Sequence, residues 1–303
     1  MLGIVIANWN GEKLLDNCLL SLKNQEFKNF KIFLIDNNST DKSIEIINHY
    51  SEDIFLNIDL TILDYNSGFA KASNIGIKRA IKEGCDYILT LNNDIEMAEK
   101  SLQIAMEKIS VLNDNVYQLL MINYFDRNKC DAAGIYFDNR LIPTQVGFNE
   151  HINNILKGEN EIKINGVCAG AAIYSAKALE RVKLDDDNYF DSNFFAYFED
   201  VDLSLRLRDA GFKFKLLKDS IVYHMHSASS KKTNGLKEYY LIRNLFIYTK
   251  RNQTYNELKK NNYFYYIRFI KTIVKNFNNI TIVKYTIKGL IDGLKERKKV
   301  RPK

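Results

Sequence analysis

The chain has 303 residues, of which 46% are hydrophobic and 26% are charged, a balance typical of a folded globular protein rather than a disordered one. Its four cysteines show no paired spacing, which argues against a zinc knuckle or a disulfide framework and favours a reducing compartment. The N-terminus lacks a basic region and a cleavage site, and no apolar run reaches the roughly 18 to 20 residues of a membrane span.

Charge is divided unevenly along the sequence. The formal net charge is +6, but residues 231–303 contain 19 Lys or Arg and 4 Asp or Glu, a balance of +15, whereas residues 1–230 contain 24 and 33, a balance of −9. An acidic body disfavours nucleic acid as a partner, while a basic tail with aromatic residues suits an anionic surface. We therefore expect a cytoplasmic protein, either free or peripheral on the inner face of the cell membrane.

The first third of the chain alternates strand and helix patterns. Short apolar runs predict buried strands at residues 2–7, 30–35, 60–63 and 87–91. This alternation predicts a parallel sheet with right-handed crossovers. The later elements that we expect are a helix near 98–110, strands of mixed direction at 116–124, 135–137 and 164–174, a helix ending near Gly211, two short strands at 213–217 and 220–224, and helices from about residue 235.

The fourth predicted strand ends in Asn92, Asn93 and Asp94. Ligands of parallel sheets bind beyond the carboxyl ends of the strands, so these side chains lie where chemistry is expected. A lone aspartate among amides suits a divalent cation, Mn²⁺ or Mg²⁺, that also binds phosphate oxygens. The alternative is that Asp94 only forms a turn.

Two other segments carry candidate binding residues. Asp36 follows the second strand and is placed to contact a base or ribose, although capping a helix is the commoner use of such a residue. Residues 66–74 place a glycine and amide side chains at a helix start, which suits a diphosphate or, equally, an ordinary capped helix. Lys71 beside this loop is either a counter-charge for phosphate or a solvated lysine.

Glu199 and Asp200 lie in the first turn of a later helix, between apolar residues. Apolar neighbours desolvate a carboxylate and raise its pKa, which suits a general base that takes a proton from a hydroxyl. The alternative is that both acids only complement the helix dipole. His224 and His226 stand two residues apart at the end of a strand, and at most one of them is expected to face the site.

The order of these segments is more specific than any one of them. The chain carries in sequence Asn8-Trp9-Asn10, Asp36 to Asp41, Asn66-Ser67-Gly68-Phe69-Ala70 with Asn74, Leu91 to Asp94, and Phe195 to Arg206. Over roughly residues 2–230 it resembles the family 2 glycosyltransferases, and within them the rhamnosyltransferase-like bacterial branch. The resemblance implies the GT-A fold, which is α/β with a Rossmann-like mixed sheet flanked by helices.

The resemblance also implies a role for each candidate residue. Asp200 would be the catalytic base with Glu199 in support, and Asp94 and His224 would contact the metal. One departure affects the metal, because Asn92 stands where the first acid of an Asp-x-Asp motif is expected. The residues implied to bind the nucleotide sugar are Asn8, Asp36, Asn66, Gly68, Lys71, Asn74, Asn92 and Asn93.

The implied enzyme is an inverting glycosyltransferase that moves one hexose, rhamnose or another, from a nucleoside diphosphate sugar to a glycan or lipid-linked acceptor in cell-surface polysaccharide synthesis. Residues 1–230 would form the catalytic domain, with 1–97 as the nucleotide-sugar half and 98–230 as the acceptor half, and residues 231–303 a helical extension. The Gln-x-x-Arg-Trp element of processive synthases is absent, which favours transfer of one sugar per encounter.

Other classes stay open. A nucleotidyltransferase would need a glycine-rich basic loop after the first strand and an NAD-dependent oxidoreductase would need Gly-x-Gly-x-x-Gly there, and the sequence has neither. A non-catalytic binder of sugar nucleotides or glycans would keep the pocket without transfer, and only Asp94 and Asp200 weigh against it. For the basic extension, an anionic membrane, a second copy of the chain and packing on the catalytic domain are all open.

Overall fold

The computed structural model describes residues 1–54, 56–112, 116–157, 162–225 and 235–299. Its strands are β1 (Leu2–Asn8), β2 (Phe30–Asp36), β3 (Ile58–Ile62), β4 (Tyr87–Leu91), β5 (Ile95–Met97), β6 (Val116–Asn123), β7 (Cys130–Ala132), β8 (Ile135–Phe137), β9 (Pro143–Gln145), β10 (Ala171–Ser175) and β11 (Phe214–His224). Its α-helices are α1 (Leu15–Lys23), α2 (Ser43–Ser51), α3 (Gly68–Lys82), α4 (Ser101–Leu112), α5 (Ile152–Leu156), α6 (Ala176–Val182), α7 (Glu199–Asp209), α8 (Leu236–Asn252), α9 (Tyr255–Lys275) and α10 (Ile280–Lys299).

The main sheet has the strand order β3-β2-β1-β4-β10-β6-β11-β5, with β7 paired to β6. Strand β1 runs parallel to both β2 and β4, whereas β10 runs antiparallel to β4 and β6. The expected parallel first half and the mixed second half are therefore confirmed. Because β1 and β2 are in register to their ends, Asn8 lies opposite Asp36 at the carboxyl edge.

Both faces of the sheet are covered, which explains the unbroken apolar runs in the sequence. Successive side chains of a strand point to opposite faces. Ile4 and Ile6 accordingly join the apolar cluster that contains Leu15 of α1, while Val5 joins the cluster on the other face with Ile77 of α3.

Two expectations about strands were wrong in detail, and short strands were missed. β11 is one strand rather than two, because its parallel pairing with β6 resumes after a register shift between Leu217 and Ile221. The exposed residues 218 and 219 occupy that shift, and their polarity produced the apparent break in the sequence. β10 is confined to residues 171–175, and the strands β5, β7 and β9, of three residues each and with a polar residue among them, were missed, whereas the equally short but apolar β8 was predicted.

The basic extension begins with α8, which packs on the rest of the chain. Ile242, Leu245 and Phe246 of α8 share an apolar cluster with Phe194 and Val201. The expected boundary at residue 230 and His226 both lie outside the described residues. Within the described ranges, none of the helices has the length and apolar character to cross a bilayer.

Candidate active site

A cavity of about 690 Å³ opens at the carboxyl edge of the sheet. The ends of β1 and β4, the start of α3, the first turn of α7 and the end of β11 all contribute to its wall. This is where ligands of open α/β sheets bind. The cavity brings together most of the residues that the sequence singled out: Asn8, Asn66, Gly68, Asn92, Asn93, Asp94, Glu199, Asp200 and His224.

Asp200 is the half-buried acid of the α7 pair. Its carboxylate accepts hydrogen bonds from the backbone N–H groups of Ala169 (3.3 Å) and Val201 (2.8 Å). Burial raises the pKa of Asp200, and these N–H donors only partly offset that effect. A carboxylate with a raised pKa is a stronger base, and Asp200 can receive a proton from a hydroxyl in the cavity.

Glu199 is the more deeply buried acid, with 6% of its surface exposed. Its Oε2 is buried and has no hydrogen-bond partner among the described residues. Burial and then the adjacent Asp200 charge raise the pKa of Glu199 well above 4.5. Both shifts favour the protonated acid, and the shift is the larger at Glu199.

The backbone that leads into α7 is strained. Phe195, Tyr197 and Phe198 have φ values of 66°, 68° and 76°, which non-glycine residues rarely adopt. The N–H of Ala196 donates to the carbonyl of Phe194 across 2.8 Å, so Phe195 (ψ −63°) forms the rare γ-turn of positive φ. Such residues cost of order 1–3 kcal/mol each and persist only where the surroundings hold them.

Gly68 is required by this same backbone. A Cβ at Gly68 would lie 2.6 Å from both the ring and the carbonyl oxygen of Phe195, and Gly68 itself has φ +83°. The N–H of Ala70 donates to the Phe195 carbonyl across 3.1 Å. The start of α3 is therefore fitted closely against the strained loop, which we define as residues 194–198.

A second group of charged residues surrounds His224 at the end of β11. Nε2 of His224 lies 3.1 Å from Oδ1 of Asp94, and Nδ1 lies 2.6 Å from Oδ2 of Asp131. Burial alone would lower the pKa of His224, but the hydrogen bonds and charges of the two carboxylates outweigh it and raise the pKa to about 9. Asp94 is 5% exposed, and its Oδ1 accepts no well-aligned hydrogen bond from the described residues.

This group fits a divalent cation that would displace the Nε2 proton of His224 and take its remaining ligands from substrate. Asp94 and His224 offer one carboxylate and one imidazole, both lining the cavity. The described residues contain no cluster of three or more His, Cys, Asp or Glu side chains arranged to hold a metal by themselves. A cation bound here would complete its shell with diphosphate oxygens and water, as Mg²⁺ sites usually do.

Asn8 joins the ends of three strands. Its Oδ1 accepts from Asn93 across 2.7 Å, and its Nδ2 donates to Asp36 across 2.8 Å. Asn8 is fully buried, and a Cβ on Gly11 would approach its Oδ1 to 2.2 Å. This chain of amides fixes the floor of the cavity between β1, β2 and β4.

Three predicted site residues are not part of the cavity wall. Asp36 is fully buried, and both of its carboxylate oxygens accept hydrogen bonds within residues 8–39. Asn74 exchanges two hydrogen bonds with the backbone of Phe190. Lys71 donates to the hydroxyl of Tyr65 across 2.6 Å. Their contacts with a nucleotide sugar stay predictions.

The cavity also contains residues that the sequence did not single out. Asp131 of β7 has no motif around it, so no sequence signal was available. Trp9 belongs to the first segment of the resemblance, but the sequence indicated no role for it in the site. Lys237 of α8 and Arg268 of α9 line the cavity as well, although the sequence suggested a separate role for this extension.

Comparison with known proteins agrees with this geometry. A model of the family described as "Glycosyl transferase family 2" matches residues 3–183. A glycosyltransferase of Haemophilus influenzae, itself uncharacterized, is 30% identical over 230 residues, covering 76% of this chain and 78% of the relative. The dTDP-rhamnosyl transferase RfbF of Shigella flexneri is 24% identical over 306 residues, covering 96% of this chain and 94% of the relative.

Solved structures show the same fold. The mannosyltransferase PcManGT from Pyrobaculum calidifontis, in complex with GDP-Man and Mn²⁺, aligns with a TM-score of 0.60 at 10% identity over 97% of this chain and 87% of its own. S. aureus TarS 1–349 with UDP-GlcNAc aligns with a TM-score of 0.56 at 20% identity over 82% of this chain and 66% of its own, and the chain covers 39% of a longer TarS structure. The expected GT-A fold and the rhamnosyltransferase-like resemblance are confirmed, and the chain belongs to glycosyl transferase family 2.

Proposed function

We propose that this glycosyltransferase is inverting and metal-dependent, and that it moves a single hexose from a nucleoside diphosphate sugar to an acceptor hydroxyl. The observation that carries the proposal is that Asp94 and Asp200, far apart in the sequence, line one cavity. A transferase needs one group to take the acceptor proton and another to help neutralise the charge of the leaving diphosphate. Asp200 is suited to the first task and Asp94, through a bound cation, to the second.

In the transfer, Asp200 accepts the proton of the acceptor hydroxyl while that oxygen forms a bond to the anomeric carbon. The bond from the anomeric carbon to the diphosphate oxygen breaks on the opposite face, so configuration inverts and no covalent enzyme intermediate is needed. The raised pKa of Glu199 disfavours a second negative charge beside Asp200. Asn92 and Asn93 supply amide groups for the donor at the cavity wall.

Asp94 and His224 would hold the divalent cation, Mn²⁺ or Mg²⁺, and Asp131 orients the imidazole. When bound, the cation neutralises charge on the leaving diphosphate. The names of the relatives support donors of this class, because one transfers rhamnose from dTDP and two structures contain UDP-GlcNAc or GDP-Man. A glycan or lipid-linked acceptor in cell-surface polysaccharide synthesis is consistent with the similarity to the same relatives.

The extension adds a proposal about location. Ile267, Ile270 and Val274 are exposed along α9, and the exposed Lys271 and Lys275 directly follow Ile270 and Val274 in the sequence. Apolar residues interleaved with lysines suit the surface of an anionic membrane, where a lipid-linked acceptor would be found. We assign this face to a peripheral contact with such a membrane.

A donor panel tests the proposed transfer. The full chain is incubated with UDP-GlcNAc, GDP-mannose or dTDP-rhamnose and Mn²⁺, and release of nucleoside diphosphate is measured, with water as the acceptor. We expect slow release from one donor, and none from an Asp200→Asn variant. Donors that raise the melting temperature of the wild-type protein without any release would instead indicate the non-catalytic binder.

A further inference from the structure

The strained loop is held by a side chain from the C-terminal extension. Asn244 of α8 is fully buried. Its Nδ2 lies 2.9 Å, 2.8 Å and 2.7 Å from the carbonyl oxygens of Phe194, Ala196 and Tyr197. The amide nitrogen carries only two hydrogens, so the three carbonyl oxygens share these two donors. One side chain therefore fixes the direction of three of the five carbonyl groups in the loop.

A neighbouring arginine orients that amide. Nη1 of Arg243 donates to Oδ1 of Asn244 across 2.7 Å and to the carbonyl of Asn193 across 2.9 Å. Because Oδ1 is engaged by a donor and Nδ2 by three acceptors, the contacts fix which end of the amide faces the loop. The network thus specifies the amide orientation as well as its position.

Two further contacts keep α8 against the loop and α7. The rings of Phe195 and Tyr240 are stacked with centroids 4.8 Å apart and planes 8° apart. Seven residues after Asn244 on α8, Arg251 pairs with the buried carboxylates of Asp191 and Asp202. Since residues seven apart lie on the same face of a helix, one face of α8 carries the contacts to the loop and to α7.

These contacts have a consequence for the chemistry. Residues 194–198 run directly into Glu199 and Asp200, so the loop conformation sets the direction in which α7 begins. Positive φ at Phe195, Tyr197 and Phe198 is unfavourable without support. The support comes from α8, which belongs to the C-terminal extension. This helix lies outside residues 3–183, the range that the family model matches.

We propose that Asn244 is a positioning residue of this enzyme: its amide holds residues 194–198 in the strained conformation that presents Asp200 to the acceptor. Asn244 acts through the loop, and it does not line the cavity. The catalytic part of this inference rests on the proposed function. If Asn244 has this role, α8 is part of the active site, and this holds for any surface that α9 and α10 contact.

The principal test compares Asn244→Asp with the wild-type protein, using the donor that proves active in the panel. The aspartate keeps the shape and keeps an oxygen for Arg243, but it replaces the shared donor with an acceptor. We expect kcat to fall about 10²-fold with the donor KM changed less than threefold, because a displaced catalytic group affects the transition state more than donor binding. Asn244→Ala should show the same fall in kcat, and it replaces the aspartate variant in this test if that variant does not fold.

Asn252→Ala is the matched control. Asn252 is an amide on the same helix, and its Nδ2 bonds within α8, to the carbonyl of Tyr248 across 3.0 Å. We expect its kcat and KM to stay near the wild-type values. A fall of kcat in both variants by the same factor, or a change confined to KM in the Asn244 variants, would overturn the inference.

Hydrogen exchange gives a readout that does not depend on activity. In Asn244→Asp we expect amides of residues 194–200 to exchange at least tenfold faster, with β1 and β4 protected as before, and no such change in Asn252→Ala. Unchanged protection of the loop would refute the positioning role even if the donor panel gave no turnover. Inactivity of the wild-type protein would instead count against the proposed function alone.

Discussion

His224 Nδ1 lies 2.6 Å from Oδ2 of Asp131, a carboxylate that is itself buried. A carboxylate at this distance keeps a proton on Nδ1 and holds the ring in one orientation. The other nitrogen, Nε2, then points toward Asp94 at 3.1 Å. Asp131 therefore controls whether His224 can act together with Asp94 at the cavity wall.

Replacing Asp131 with Asn should weaken the response to metal. The amide keeps the size of the side chain but loses the charge that orients and polarises the imidazole, and changes of this type usually cost 10- to 100-fold in metal affinity. The measurement is the Mn²⁺ concentration that gives half-maximal nucleoside diphosphate release. Asp126→Asn, on an exposed carboxylate paired with Lys129, is the control and should leave that concentration unchanged. An identical Mn²⁺ response in Asp131→Asn would remove Asp131 from this role.

Metal removal and Asn92 give a second prediction. Treatment with a chelator should abolish nucleoside diphosphate release, and excess Mn²⁺ should restore it. Asn92→Asp adds a second carboxylate to the cavity wall beside Asp94, and hard cations bind more tightly as ligand charge increases. We expect this variant to need about tenfold less Mn²⁺ for half-maximal release. Full activity in chelator would show that Asp94 and His224 serve the donor without a cation.

Asp200→Asn addresses the proposed base directly. The amide preserves the volume of the side chain and keeps one of the two oxygens that accept from the N–H groups of Ala169 (Oδ2) and Val201 (Oδ1), but it cannot take up the proton of the acceptor hydroxyl. Loss of a positioned base lowers kcat by about 10²- to 10⁴-fold. Donor affinity, measured by thermal shift, should stay within threefold of the wild-type value. Turnover close to wild type would require another base in the cavity.

The sequence predicted those parts of the site that have a local signature. Asp94 ends a buried strand and Asp200 begins a helix between apolar residues, and both patterns are readable within about ten residues. Such signatures also fix the order of strands and helices, because apolar periodicity reflects which faces are covered. The structure places these two carboxylates in the wall of one cavity, and their roles there stay predictions.

Asp131 and Asn244 show why the rest was not predicted. Asp131 is the central residue of β7, a short strand without an apolar run to reveal it, and its partner His224 is far away in the sequence. Asn244 lies in the middle of a helix among aromatic and basic residues, and in such a sequence an asparagine is normally predicted to be an exposed amide. Its function depends on a loop with positive φ values, and this loop contains no glycine that would have indicated such a backbone in the sequence. Both roles exist only through tertiary contacts.

Glu199 predicts how stability depends on pH. Its pKa is raised in the folded protein, so between its unfolded and folded pKa values the native state binds more protons than the unfolded chain. Stability therefore falls as pH rises through that window, and it is greatest below the unfolded pKa. Asp200 contributes in the same direction.

Glu199→Gln removes the ionisation and should reduce this loss. We expect the variant to melt a few degrees above the wild-type protein at pH 8, with a smaller difference at pH 5, as calorimetry would measure. An equal difference at the two pH values would show that packing, and not ionisation, causes the effect. Activity should fall less than in Asp200→Asn, because Glu199 supports the base and does not take the acceptor proton.

The last prediction concerns the exposed face of α9. Ile270 and Val274 are 55% and 63% exposed and lie one turn apart, with the lysines of the same helix beside them. If this face contacts an anionic membrane, the full chain should float with vesicles that contain phosphatidylglycerol and not with neutral phosphatidylcholine vesicles. Ile270→Asp should reduce flotation about tenfold, whereas Val111→Asp, on the exposed face of α4, should not. Equal flotation of all three proteins would end the membrane assignment, and a shift from dimer to monomer in Ile270→Asp on gel filtration would assign the face to a second copy of the chain.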